Sequence, residues 1–413
     1  MRGRLLRDTS WGILDQALSS GSNVALTIVV ARTVGPDAFG GFSLCFVVYM
    51  LVLLVVRTTG IRPFTIETAH ADVQRARAQA RALMGFALGI GCLIGCLCLI
   101  AGRLFPDPLR SGLTVLGVLL PGLLLQDAVR GIFFAWQMPR AALVNDGLWS
   151  GLQAVSLLSV LLGVENPPMA LLMAGWGLPA AVAALGGLAT LGTVPARMRL
   201  MPWLRTHKDL ATPFAVNMML TAAPSYVAYL VMPLVSSLEE LAMVRGAYIF
   251  FGPLGVVFTG AAVIALPAIV RSGRSRSRRR MSVQLSSSLA AVGLAWGAIV
   301  VALPDSVGRA VLGDLWEGSG PVRLLLAISL VAEAVLVGPD VVLSSLRLPR
   351  RMTSVRAVSA AVTLLASVAL AAAEGAAGLA AGLAMGYSVG AVLAVLQIRR
   401  LPSGVGTLTD ERS

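Results

Sequence analysis

The basic residues of this 413-residue chain are confined to a few short stretches, and that confinement limits its fold more than any other feature. Of 33 lysines and arginines, 26 fall in segments 1–8, 57–81, 137–141, 194–208, 271–280, 347–356 and 399–412. Between these segments lie uncharged apolar runs, among them 38–56, 82–102, 147–164, 210–238, 246–270, 281–304 and 375–398. Each run meets the roughly 17–25 residues that a helix needs to cross a bilayer. The loops that alternate with the basic segments carry only Arg103, Arg110 and Arg309. Translocation disfavours Lys and Arg, so basic loops stay on the cytoplasmic side. Seven inside segments and six outside loops imply about twelve crossings, with both termini inside.

Composition agrees. Hydrophobic residues make up 57% of the chain and charged residues 13%, against about a quarter charged in soluble domains. The net charge of +13 reads as an inner-face bias toward anionic lipids, and nucleic-acid binding is excluded as an explanation. Asp8, Asp15, Gln16, Ser19, Ser20, Ser22 and Asn23 make residues 1–35 too polar for a signal-peptide core, so the first helix is expected to insert and stay. Cys45, Cys92, Cys96 and Cys98 sit in apolar runs and read as small buried hydrophobes. Metal binding lacks partners, because His70 and His207 both fall in segments expected to be cytoplasmic loops. Residues 61–81 read as one Ala/Arg-rich surface helix.

The spans are expected at 11–34, 38–58, 82–104, 112–136, 142–163, 168–193, 210–236, 241–270, 282–304, 321–346, 355–374 and 377–398. An internal repeat appears at an offset of 202 residues. Asp15, Ser19, Asn23 and Thr27 in the first span match Asn217, Thr221, Ser225 and Tyr229 in the seventh. Spacing by four places each set on one helix face. Met138–Pro139–Arg140 is echoed by Leu348–Pro349–Arg350 at an offset of 210. The expected fold is therefore an all-α polytopic membrane protein of two pseudo-symmetric six-helix lobes, residues 1–200 and 201–413, around a central cavity.

Polar stripes in a spanning helix must face protein or water. One such residue is ordinary helix–helix glue. Two matching stripes favour a cavity lined by Ser19, Asn23, Asn217, Thr221 and Ser225. Charges within spans are sharper signals. Asp127 and Arg130 stand i, i+3, so they can pair; Glu333 and Asp340 share a face. Asp146, Arg32, Arg245 and Arg57 lie near span ends, where snorkelling competes with function. Asp15, Asp127, Asp146, Glu333 and Asp340 are candidate ion-coupling groups or charge partners. A guanidinium stays charged and presents a planar fork that fits phosphate oxygens, so an arginine-bearing polar cavity suits a diphosphate-linked sugar. A cavity for cationic drugs would favour carboxylates and aromatics, and aromatic content is 6%. Pro224 and Pro233 are the expected bends of the seventh span, and Gly21 is a candidate kink in the first. No phosphate-binding glycine loop, histidine pair or Asp-x-Asp motif is present, so no enzyme and no cofactor are expected.

Residues Ser19–Ser43, with Asn23, Ala31–Arg32, Gly35–Gly40 and Phe42–Ser43, resemble the first helical hairpin of polysaccharide transporters. These are a branch of the multidrug/oligosaccharidyl-lipid/polysaccharide flippase superfamily. Leu125–Asp127, Arg130, Phe134–Ala135, Pro139–Arg140, Asp146 and Trp149 resemble the fourth and fifth helices of its O-antigen-type members. Arg245, Gly252–Leu254 and Leu266–Pro267 resemble the eighth. The resemblance implies alternating access and export of undecaprenyl-diphosphate-linked glycan units, often driven by H⁺ or Na⁺. It makes Arg32, Arg130 and Arg245 candidate diphosphate or sugar contacts and Asp127 a charge partner.

The reading is a multi-pass flippase of the bacterial inner membrane, acting on lipid-linked oligosaccharide. Its expected partners are the glycan substrate, anionic inner-leaflet lipids and polysaccharide assembly enzymes. The nearest alternative is an ion-coupled drug or metabolite antiporter of the same superfamily. A membrane-embedded polymerase or glycosyltransferase would need larger outer loops than Gly35–Asp37 or Ser236–Glu240.

Overall fold

The computed structural model describes residues 2–271, 275–345 and 349–400, all helices and connecting turns. The basic segments at 271–280, 347–356 and 399–412 lie partly outside these residues, as does Leu348 of the Pro–Arg echo. Two compact units form, Met1–Met218 and Met219–Ser413.

The first unit holds α1 (Arg2–Thr33), α2 (Pro36–Val56), α3 (Arg62–Thr68), α4 (Val73–Gly102), α5 (Leu109–Ala135), α6 (Pro139–Gly163), α7 (Met169–Leu191) and α8 (Leu200–Thr221) through Met218. Helix α5 is central and packs on α4, α7 and α2, while α1 lies along α6. Hydrocarbon offers apolar helices no hydrophobic reason to associate, so close approach of small residues and interhelical hydrogen bonds hold them. Gly95 of α4 and Gly117 of α5 meet this way, each with its Cα against the other's carbonyl. Tyr49 and Phe46 of α2 pack on Trp176 of α7, with ring centroids 5.0 and 5.6 Å apart. The indole of Trp149 on α6 donates to the Trp176 carbonyl at 3.0 Å.

The second unit holds α9 (Ala223–Val235), α10 (Leu238–Tyr248), α11 (Gly252–Arg271), α12 (Ser275–Val301), α13 (Asp305–Leu312), α14 (Gly320–Ser345) and α15 (Pro349–Arg399). Helix α14 is central, between α12 and α15, and α9 lies on α15. Helix α15 is two spans joined where Glu374 and Gly375 leave helical geometry, Gly375 at φ 57°. The turn is held by Glu240, whose carboxylate accepts the Ala376 N–H at 2.6 Å and meets the open N-terminus of the returning helix. Gly378, Gly382, Gly386 and Gly390 recur every fourth residue along that helix. A Cβ on any of them would overlap Leu370, Ser367, Thr363 or Ser359 of the outgoing half.

Among the described residues, eight helices are long and apolar enough to cross a membrane, and two bent pairs, α8–α9 and α10–α11, add two more. Counting the two halves of α15 separately gives eleven, and the less apolar α6, 25 residues long, is the candidate for the twelfth crossing expected from the charge pattern. Three expectations are corrected: the single-face stripe at 217–229, the unbroken surface helix at 61–81 and the kink at Gly21. The continuous span at 210–236 is broken at Ala222, so the stripe of Asn217, Thr221, Ser225 and Tyr229 does not run along one helix. Pro224 cannot donate to the preceding turn and opens α9, as its role as a bend requires. The span at 241–270 bends by 52° between Tyr248 and Gly252, just before Pro253. The surface helix at 61–81 is interrupted at Ala69–Asp72, and Asp72 caps α4 by accepting the Arg75 N–H at 2.9 Å. Gly21 causes no break in α1.

Candidate functional site

The charged residues of the first unit converge beside a turn that the sequence sets up. Pro63 has no N–H, so the Thr59 carbonyl one turn earlier loses its helical donor. The Trp203 indole of α8 supplies one instead, at 3.0 Å. Between α2 and α3 the helix widens over Arg57–Ile61, and the Arg62 N–H reaches back five residues to the Arg57 carbonyl. Such wide turns rotate side chains out of the regular register and recur at functional sites. Thr58 and Thr59 satisfy neighbouring carbonyls through their hydroxyls, at 2.8 and 2.7 Å.

The turn aims Arg57 at Asp127 of α5. Arg57 Nη2 donates to Oδ1 at 2.6 Å and Nε to Oδ2 at 3.0 Å, a two-pronged pair. Arg130, one turn along α5, faces the other way, toward Asp15 of α1 and Asp146 of α6. Its Nε and Nη2 both donate to Asp15 Oδ2. Its Nε also lies 2.9 Å from Asp146 Oδ2, without the alignment of a hydrogen bond, so that contact is ionic. Gln126 donates to Asp146 at 2.7 Å and to Asn145 at 3.1 Å, and Asn145 donates to the Ala183 carbonyl of α7. Asp15 and Asp146 are fully buried, whereas the Arg57 side chain is 43% exposed. Two polar clusters joined through α5 thus form a network that ties α5 to the wide turn after α2 and to α1, α6 and α7.

The open side of this network is a cavity of about 290 Å³ lined by Arg57, Arg62, Thr65, Asp127, Arg130 and Phe134, with Ile61, Gly131 and Ala135. The lining presents three guanidiniums and one carboxylate; Arg57 is paired with Asp127, and Arg130 with Asp15 and Asp146 behind the wall, so Arg62 supplies the charge that the ion pairs leave over at the opening. Phe134 and Phe214 sit 5.2 Å under the Arg130 and Arg62 guanidiniums and hold them in place. Oriented guanidiniums in a partly desolvated cavity bind multivalent oxyanions.

Asp127 and Arg130, which could have paired along α5, instead each find partners elsewhere, Asp127 on the wide turn and Arg130 on α1 and α6. Arg32 is exposed near the C-terminus of α1, about 25 Å from Asp15 at roughly 1.5 Å per residue, and does not join this cavity. Ser19 and Asn23 are half-buried on α1, with the Asn23 amide donating to the Ser19 carbonyl at 3.0 Å. Asn217 is half-buried in α8 and Thr221 is exposed at its end. Ser225 lies 3.3 Å from the Tyr387 hydroxyl. Arg245 stands over two tyrosine rings, and Glu333 is half-buried on α14. Asp340 pairs with Arg356 of α15 at 2.5 Å. At the offset of 210, Arg130 corresponds to Asp340 and Asp146 to Arg356, so the ion pair recurs in the second unit with its charges exchanged. His207 is buried in α8 rather than set in a loop, stacked on Trp203 with its Nε2 3.3 Å from Glu67.

Arg62, Gln126 and Asn145 were missed as site residues, and Arg57 was weighed only as a span-end charge. The signal was present in Arg57–Thr58–Thr59–Gly60–Ile61–Arg62–Pro63, where a proline follows two hydroxyl residues and a glycine at a span end. A second, wider groove of about 760 Å³ lies in the second unit on α12, α14 and α15. Its walls are hydrocarbon apart from Ser388 and Arg399, so it offers contact to apolar chains and no further chemistry.

No protein-family model matches the chain, and no curated protein matches it. Solved structures do. The lipid II flippase MurJ, in an inward closed conformation, superposes with a TM-score of 0.70 at 10% identity, over 95% of this chain and 88% of that one. The fold is that of the MOP-superfamily transporters. An inward-facing multidrug resistance MATE family transporter of that superfamily matches with a TM-score of 0.63 at 14% identity, over 94% of this chain and 97% of that one. A MOP superfamily transporter from Pyrococcus furiosus, described by a binding pocket of reverse polarity, matches at 0.57 and 14%, over 96% and 94%. Helices of this length and apolarity in this fold make the chain a multi-pass membrane protein.

Proposed function

We propose that this chain is a flippase that carries a lipid-linked oligosaccharide, joined to its lipid through a diphosphate, across the bacterial inner membrane by alternating access. The observation that supports it is the cavity of the first unit, where Arg57, Arg62 and Arg130 surround a space lined by one carboxylate. A diphosphate needs several forked donors and a net positive lining, and its isoprenoid tail can remain in the lipid while the head crosses. An antiporter of cationic drugs needs carboxylates turned toward the open cavity. Here Asp127 is taken by Arg57, and Asp15 and Asp146 by Arg130. Because two carboxylates share the guanidinium of Arg130, we place a coupling H⁺ or Na⁺ at that pair.

The test is binding of geranyl diphosphate to the full chain in nanodiscs, followed by transport in proteoliposomes. Arg62→Ala leaves every ion pair of the network intact and is expected to weaken binding about 10-fold or more, the loss of one charge-assisted contact of roughly 1.5–3 kcal/mol. The double variant Arg57→Ala with Asp127→Ala keeps the buried charge balanced and is expected to weaken it further. Unchanged affinity in both would remove the cavity as the diphosphate site.

The orientation follows the basic segments, with the Arg57 cavity on the cytoplasmic side. Cysteines placed at Pro36 and Ser237 are expected to react with an impermeant thiol reagent added outside intact cells, and a cysteine at Gln74 to stay unlabelled. Labelling at position 74 alone would reverse the orientation.

A further inference from the structure

The chain has five tyrosines, and four of them gather in the second unit. Tyr226 and Tyr229 stand on α9, Tyr248 on α10 and Tyr387 on α15. These helices pack on one another, and α10 also packs on α14, which carries Glu333. Glu333 lies within electrostatic reach of Tyr229, Tyr248 and Tyr387. Ser225 and the Tyr387 hydroxyl are 3.3 Å apart. Among the described residues, the hydroxyls of Tyr226, Tyr229 and Tyr248 take no hydrogen-bond partner. Tyr248 is 39% exposed, and Tyr226, Tyr387 and Glu333 are half-buried, so the cluster opens to a ligand.

We infer that this tyrosine crevice binds neutral sugar rings of the transported glycan, an assignment that rests on the flippase reading and adds a second subsite to it. A phenol ring offers an apolar face to the C–H surface of a pyranose and a hydroxyl that both donates and accepts. A carboxylate accepts from two neighbouring sugar hydroxyls. The charge balance decides between ligand classes. Four tyrosines and a glutamate would by themselves make a cage for an organic cation. The cage already holds one: the Arg245 guanidinium lies 5.5 Å from the Tyr229 ring centre and 5.7 Å from that of Tyr248. An incoming cation would have to displace Arg245 from both rings, and an incoming anion would meet Glu333. A neutral polyol meets neither obstacle.

Saturation-transfer NMR with the full chain in nanodiscs tests this, with cellobiose and N,N′-diacetylchitobiose as probes. Wild type is expected to transfer saturation to the ring protons of at least one disaccharide. Tyr248→Ala is expected to lower the transfer at least fivefold. Tyr248→Phe, which keeps the packing and removes the hydroxyl, is expected to lower it about twofold or more, and Arg103→Ala, in an exposed turn of the first unit, to leave it unchanged. Silence of both sugars with wild type, or equal transfer in wild type and both Tyr248 variants, overturns the inference. So does binding of tetraphenylphosphonium that Glu333→Gln abolishes while the sugars stay silent, which would make the crevice an organic-cation site. Geranyl diphosphate bound in the same samples keeps the parent reading standing if the crevice fails. Sugar transfer without any geranyl diphosphate binding upholds the crevice and removes the diphosphate reading instead.

Discussion

Arg130→Met lowers the thermal midpoint of the detergent-solubilised protein more than any other single charge removal in the first unit. The guanidinium is the partner of two carboxylates, Asp15 and Asp146, both essentially without solvent exposure. Removing one member of a buried pair strands the other, at a cost of about 3–5 kcal/mol, and here two are stranded at once. Arg130→Lys recovers part of the loss, because an ammonium is a point charge and cannot span both acids as the fork does. The triple variant Arg130→Met, Asp15→Asn, Asp146→Asn recovers more, since it removes the uncompensated charges along with the pair. Thermal unfolding followed by size-exclusion chromatography measures all three. If the single variant melts like wild type, the network is not a stability element. If the triple melts no higher than the single, the loss comes from packing around Phe134 and not from charge.

Gly382→Ala abolishes the monodisperse folded peak or lowers its midpoint sharply. The added Cβ would fall on the Ser367 backbone nitrogen in the other half of α15. A backbone atom inside a helix cannot turn aside as a side-chain tip can, so the two halves must separate along their whole contact. Overpacking generally costs about 1–3 kcal/mol, and the upper end applies where no flexible neighbour yields. Gly151→Ala is the matched control. Nothing lies within 4 Å of the new methyl there, and the helix gains up to about 1 kcal/mol from the better helix former. Equal stability of the two variants would mean that the α15 hairpin is not closed through its glycines.

The four-residue glycine spacing was readable in the chain, but its partner was not. Nothing in residues 378–390 names the outgoing half of α15 as the surface they meet. The same holds for the charges. Asp127 and Arg130 are three residues apart, and local geometry alone favours their pairing. Arg57 competes successfully for Asp127 because the wide turn at 57–61 brings it within 2.6 Å, and Arg130 is drawn to two buried acids that have no other cation among the described residues.

The sequence by itself determined that the chain is helical, that it crosses a membrane about twelve times, and where most spans begin and end. These are one-dimensional properties: an apolar run must reach across hydrocarbon, and a proline must end or bend the helix it enters. It also marked Asp15, Asp127, Arg130 and Asp146 as residues that need a protein environment. Only the tertiary structure decided which of them face each other, that Arg57 and Arg62 complete a cavity with Arg130, and that the helices carrying four tyrosines dispersed over 162 residues pack on one another. The physical reason is range. Burial and helix length depend on neighbours along the chain, whereas an ion pair or a cavity depends on distances of a few ångströms between segments that close packing alone brings together.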